Sequence, residues 1–267
     1  MTLDRTVYLD HLARESAALA DAAAAAGPDA PVPGCPGWTV TDLLRHAAGG
    51  DNWARLIVET GSREGVPREL PDDAPTGDGL VALYRDGAEA LVRTLTDADD
   101  TASVWTFTPT DRTAMFWIRR RAHESTVHRI DAQGSAEVAG SAEVAGSAEV
   151  AGSAEVAAPI DPAFASDGID EYLTVFVPRF GTDLAVLGGT IHVHCTDVDG
   201  EWLVAPDPEG DARNQVVVTR EHAKGDVAAR GRAEDLLLYL WGRGDGAALE
   251  VFGDADLLDR FVAAVNV

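Results

Sequence analysis

The run His123-Glu124-Ser125-Thr126-Val127-His128 gathers two imidazoles and a carboxylate in one short stretch. Its histidines are five residues apart, which is not the HExxH spacing of zincins. On a helix that separation is about 140°, too wide for both rings to reach one ion. Glu124 and His128 are four apart, about 40° round, so both can face one point. Catalytic zinc takes three protein ligands and keeps a fourth position open, so a facing element must supply the third ligand. His46, in Leu43-Leu44-Arg45-His46-Ala47-Ala48-Gly49-Gly50, suits that role. Leu43 and Leu44 should point inward with His46 near their face, and the small residues after it would leave room for a ligand. His46, Glu124 and His128 are thus the candidate ligands of a divalent metal, with zinc the expected ion. Against this stands a plainer possibility, because a Glu–His pair on a helix face usually forms only a hydrogen bond.

Other residues offer weaker chemistry. His123 reads as a supporting or surface residue. Arg119, Arg120, Arg121 and Arg129 read as a solvated charge run. His192 and His194 alternate on a candidate strand and share a face, but no third ligand is evident nearby. The plainer reading is a strand with its polar residues outward. Cys35, in a Pro-rich loop, reads as a packed apolar residue rather than a nucleophile. No P-loop, GxGxxG or GxSxG pattern occurs.

The elements that must position the ligands are mostly helices. Residues 3–26 read as a helix ended by Gly27-Pro28. Thr39 and Asp42 have capping-box spacing, and the helix they open runs through His46 to about Thr60, with Gly61 as its stop. A third helix covers 78–97. A fourth starts near Thr110 or Asp111 and carries HESTVH. Four helices joined by loops suggest a bundle with its metal site inside. GSAEVA then occurs four times without a break from Gly134 to Ala157. A period of six is far below that of solenoid repeats, and a Gly-Ser pair in every copy weakens a helix. This stretch reads as a flexible or partly helical insert without a catalytic role. After it, Pro159–Arg179 reads as a helix. TIHVHCTD, EWLVAP, NQVVVT and GDVAARG are short strand candidates, and helices over 232–243 and 254–266 close the chain. The fold class is α+β, with domains at 1–133 and 158–267 separated by the insert at 134–157.

Composition narrows the function. The 267 residues carry 45 acids against 21 bases, a formal net charge of −24. Such a chain is repelled by polyanions and lacks the basic face of a nucleic-acid binder. Lys224 is the only lysine, which reads as GC-rich, actinobacterial codon bias. Cys35 and Cys195 form no disulfide framework. The N-terminus carries charges too early for a signal peptide, and no stretch has the length of a membrane span. A cytoplasmic location is expected.

Taken together and in order, CPGWTVTDLLRH, HESTVHRIDA, EWLVAP and TREHAKGDVAARGRAEDLLLYLWGR resemble the mycothiol-dependent maleylpyruvate isomerase family. The resemblance spans almost the whole chain apart from the repeat, which departs from the family pattern. It implies a DinB-like metal-binding four-helix bundle followed by a smaller α+β, SCP2-like domain. It implies that His46, Glu124 and His128 match the family's metal ligands, and that mycothiol is the thiol cosubstrate. It also implies an important arginine in the C-terminal domain. Arg243, in LWGRGDG, is the match, with Arg220 second.

The expected reaction has a metal-bound thiolate attacking a small electrophile, as an isomerase or an S-transferase. A free thiol, with a pKa of about 8.5, is mostly protonated at neutral pH, whereas a coordinated one is ionised. Arg243 would clamp a carboxylate through two parallel hydrogen bonds. Two rivals are a non-catalytic metal-binding regulator that docks a partner through its acidic surface, and a thiol-independent metal hydrolase.

Overall fold

The structure, a computed structural model, describes residues 2–68, 70–146, 158–181, 188–207, 209–210 and 216–265. The chain divides into two compact units, Asp4–Ala158 and a second built from Pro159–Val267 with Met1–Leu3.

The first unit is a helical bundle of α1 (Arg5–Ala26), α2 (Val40–Thr60), α3 (Asp78–Asp97) and α4 (Ala114–Gly146). Each helix starts where its sequence offers a cap or a turn. Asp4 accepts from the backbone of Thr6 at the head of α1. Thr39 and Asp42 form the complete capping box of α2, and Gly61 closes that helix in the left-handed region at φ 61°. α4 starts at Ala114 rather than at Thr110 or Asp111. Asp111 Oδ1 instead takes the backbone N–H and hydroxyl of Thr113, at 3.1 and 2.7 Å, a turn that competes with helix. α1 packs against α3 and α4, and α2 against α3 and α4. Leu12, Leu19, Leu43, Ile57, Leu91 and Trp117 are fully buried between them, and burial of such side chains is the main term holding a bundle together. α4 continues into the repeat, which is helical as far as Gly146. The remainder of the expected insert lies outside the described residues.

The second unit has a five-stranded sheet in the order β3-β2-β1-β4-β5. Its strands are β1 (Ile191–Cys195), β2 (Glu201–Pro206), β3 (Val216–Thr219), β4 (Val227–Gly231) and β5 (Glu250–Gly253). β1 pairs antiparallel with β2, setting His194 opposite Glu201, and parallel with β4. The expected helix over 159–179 is broken into α5 (Pro162–Glu171), a π turn (Tyr172–Phe176) and α6 (Val177–Phe180). Pro178 has no N–H for the carbonyl one turn back, and a π turn absorbs the mismatch. α7 (Ala233–Leu240) packs on α5, and α8 (Ala255–Ala264) on β4. β5 was not expected: it has four residues, all exposed, so it carries no alternating apolar signal. The overall class is α+β, as the sequence implied.

Candidate metal centre

His46 comes from the second turn of α2, and Glu124 and His128 come from one face of α4. One ligand atom from each lies within 4.8 Å of the others. Glu124 Oε1 is 3.2 Å from His46 Nε2 and 3.9 Å from His128 Nε2. The two imidazoles meet edge to face with centroids 5.1 Å apart. Two imidazole nitrogens and a carboxylate are the donor set that zinc and similar divalent ions accept in catalytic sites. Burial lowers the His46 pKa below its ordinary value of 6.5, with Glu124 opposing. A neutral ring keeps a lone pair for a metal.

A second layer orients these groups. His128 Nδ1 is 2.9 Å from Asp131 Oδ2, which turns Nε2 toward the shared point. Cys35 Sγ reaches the same Asp131 oxygen at 3.6 Å, so Cys35 belongs to the packing behind His128. The Trp38 ring lies 5.0 Å from that of His46.

The other side of Glu124 is cationic. Arg121 Nη1 is 2.5 Å and Arg120 Nε 3.5 Å from Glu124 Oε2. Arg121 also donates from Nε and Nη2 to Asp51 Oδ1, at 2.9 and 2.7 Å. Burial works against ionisation of Glu124. Arg121, the hydrogen bond with His46, Arg120 and Arg68 outweigh it and hold the carboxyl well below the usual carboxylate range. Burial pushes the Asp51 carboxyl up, and Arg121 opposes that without cancelling it.

Several expectations need correction. Arg120, Arg121 and Arg129 do not solvate the helix, being each 2% exposed. α4 is packed by both α1 and α2, so its arginines are neutralised inside the bundle, Arg129 by Glu15 at 2.7 Å. His123 is not at the surface either, being buried edge-on against Tyr8. The room left by Gly49 and Gly50 is taken by protein. A Cβ on Gly49 would come within 2.7 Å of the Arg68 carbonyl oxygen, and one on Gly50 within 2.6 Å of Arg121 Nη1.

Arg68, on the loop between α2 and α3, had no sequence signal. Its Nη2 lies 3.0 Å from His46 Nε2 and 3.4 Å from Glu124 Oε1. Its guanidinium rests over Trp53 at 5.6 Å. It stands where a cation between those two ligands would stand. With a side chain 39% exposed, it is able to swing aside.

The remaining candidates lie in the second unit. Arg243 follows α7 and donates from Nη1 to the Trp241 carbonyl at 2.5 Å. Arg220 grips Asp170 with two hydrogen bonds, 2.5 and 2.8 Å. His192 is buried, not turned outward as read from the sequence, and with His194 it meets Glu201 and His222. These two partners went unforeseen because they arrive from β2 and from the loop after β3.

Comparison with known proteins agrees with this architecture. The family model described as "Mycothiol maleylpyruvate isomerase N-terminal domain" matches residues 9–133, and that described as "MDMPI C-terminal domain" matches residues 163–260. No curated protein is significantly similar in sequence. Among solved structures, a crystal structure of the mycothiol-dependent maleylpyruvate isomerase aligns with a TM-score of 0.56 at 14% identity. A crystal structure of a histidine-to-alanine mutant of that enzyme aligns with a TM-score of 0.58 at 13% identity. Each alignment covers 94% of this chain and 95% of the other. No described helix is long and apolar enough to cross a membrane. With one family model on the bundle and its companion on the α+β unit, the chain belongs to the mycothiol-dependent maleylpyruvate isomerase family.

Proposed function

We propose that this chain is a metal-dependent enzyme that uses mycothiol to isomerise a small electrophile or to transfer its sulfur onto one, with His46, Glu124 and His128 holding a divalent ion, zinc by preference. The observation that carries the reading is the convergence of the three ligand atoms within 4.8 Å, with Asp131 behind His128. Family membership supports the thiol. A divalent ion held there would supply the Lewis acidity that keeps a bound thiol ionised at neutral pH.

The chain's own groups supply the rest. His46 is held neutral by burial, and Glu124 is held ionised by its arginines. Asp131 fixes the His128 ring, so little reorganisation is left at the moment of reaction. Arg68, next to His46 and Glu124, is placed to pair with an incoming anion, either the thiolate or a substrate carboxylate. Arg243 is assigned the second carboxylate clamp. We place the reaction in the cytoplasm, where reduced thiols such as Cys35 and Cys195 persist.

The experiment is to measure bound metal, and turnover of electrophiles with and without mycothiol, in wild type and in His46→Ala, Glu124→Ala and His128→Ala. Metal and thiol-dependent turnover should both be lost in each variant. Unchanged metal content in all three would end the proposal. Turnover that ignores the thiol would point to the hydrolase reading. Arg243→Ala should raise KM for an acidic substrate, and unchanged kinetic constants would remove Arg243 from the site.

A further inference from the structure

The α+β unit holds a second cluster of metal-ligating side chains, in different elements from the first. On β1, His192 and His194 are two residues apart and share a face. β2 pairs with β1 so that Glu201 stands directly opposite His194, on the same side of the sheet. The loop after β3 brings His222 to the same place. One ligand atom from each of the four lies within 4.8 Å of the others.

The geometry is that of side chains turned toward one point. Glu201 Oε1 is 3.0 Å from His194 Nδ1. Glu201 Oε2 is 2.6 Å from His222 Nδ1 and 3.5 Å from His192 Nε2. The three rings stand nearly perpendicular to one another, at 77–87°, with centroids 5.6–6.2 Å apart. A purely structural hydrogen-bond network would satisfy its buried member first. Here the opposite holds. Glu201 lies 2.6 Å from the exposed His222 and 3.0 Å from the half-buried His194, while the buried Nε2 of His192, 6% exposed, has only the longer, poorly aligned 3.5 Å approach to Glu201. A buried imidazole nitrogen aimed at a shared carboxylate, with two more imidazoles beside it, lacks only a cation. A cleft of about 730 Å³ lined by His194, Glu201, Arg220 and His222 gives an ion a way in.

We propose that His192, His194, Glu201 and His222 form a second divalent transition-metal site, separate from that of the helical bundle. Three imidazoles and one carboxylate suit zinc, nickel or copper rather than magnesium or calcium. Four protein ligands fill a tetrahedral zinc shell, as in structural sites. Tetrahedral binding sets ligand atoms roughly 3.3 Å apart, given zinc–nitrogen bonds of about 2.0 Å. The cluster therefore has to close modestly, and the exposed His222 is the member able to move. The bound ion would tie the loop after β3 to the β1–β2 hairpin.

The test uses full-length, tag-free protein stripped of metal, then loaded with zinc alone and desalted. Metal per chain is counted in wild type, in His46→Ala/His128→Ala, in His194→Gln/His222→Gln and in the combination of all four. The inference expects one zinc retained in His46→Ala/His128→Ala and none in the fourfold variant. It also expects zinc to raise the melting temperature of the former and not of the latter. Where the bundle binds no metal, wild type retains a single zinc that His194→Gln/His222→Gln loses; that result sinks the bundle site and keeps this one. Zinc content unaffected by His194→Gln/His222→Gln overturns it. Should the paired variant not fold, His222→Gln alone, which changes an exposed side chain, should bind zinc at least about tenfold more weakly. Undiminished affinity there is likewise fatal.

Discussion

Asp131 Oδ2 lies 2.9 Å from His128 Nδ1, three residues along the same helix, with the Asp131 side chain wholly buried. That contact chooses which imidazole nitrogen faces Glu124 and holds the ring in that orientation. Partners of this kind are worth about 10–100-fold in metal affinity. Asp131→Ala should therefore weaken zinc binding at the bundle by that factor while leaving all three ligands in place. Competition against a chelating dye measures it, and an affinity equal to wild type would show that His128 needs no orienting partner.

Arg68 makes the opposite prediction. Its guanidinium occupies cation space beside His46 Nε2 and Glu124 Oε1. Its removal should strengthen metal binding. For a charge this exposed the effect is about 1 kcal/mol, roughly fivefold. The same variant should raise KM for an anionic substrate if Arg68 pairs with it. Weaker zinc binding in Arg68→Ala would mean that the arginine supports the ligands rather than competing with the ion.

Much of this arrangement was readable beforehand, and the unread parts share a cause. His46, Glu124 and His128 could be proposed because two of them sit a helical turn apart and the third follows an inward-facing leucine pair. The capping box of α2 was legible for the same reason: it is a local pattern. Arg121, Asp51 and Arg68 were not legible. Their roles come from contacts across 22 to 74 positions of sequence, and periodicity on one element says nothing about those. Gly49 illustrates the gap. The sequence suggested room for a ligand, whereas the backbone of Arg68 fills it.

The pair of Arg121 and Asp51 has 2% and 0% of its side chains exposed. Removing one member of such a pair strands the other charge in the interior, at about 3–5 kcal/mol. Asp51→Asn should lower unfolding stability by that amount without touching a metal ligand. Denaturant melts of metal-free protein provide the number. A loss under about 1 kcal/mol would show that Arg121 finds sufficient compensation in Glu124.

Thr39 and Asp42 make a prediction that depends on pH. The Thr39 backbone N–H, then its hydroxyl, lower the Asp42 pKa below 3.8. A carboxyl depressed on folding contributes stability above its unfolded pKa and loses it as pH falls through the folded value. Thr39→Ala should thus cost about 1 kcal/mol at neutral pH. The gap between variant and wild type should narrow below about pH 4. A gap that stays constant into acid would assign the cap to the hydroxyl alone.

α4 bears Glu124 and His128 in its first half and copies of the hexapeptide at its C-terminal end, on a single continuous rod. Six residues advance a helix by about 9 Å and turn it through about 600°. Every copy lies on the C-terminal side of His128, so gain or loss of one by slippage in the coding DNA would leave the ligands and their mutual spacing untouched. Length variation at this place is open to evolution without ever passing through the chemistry.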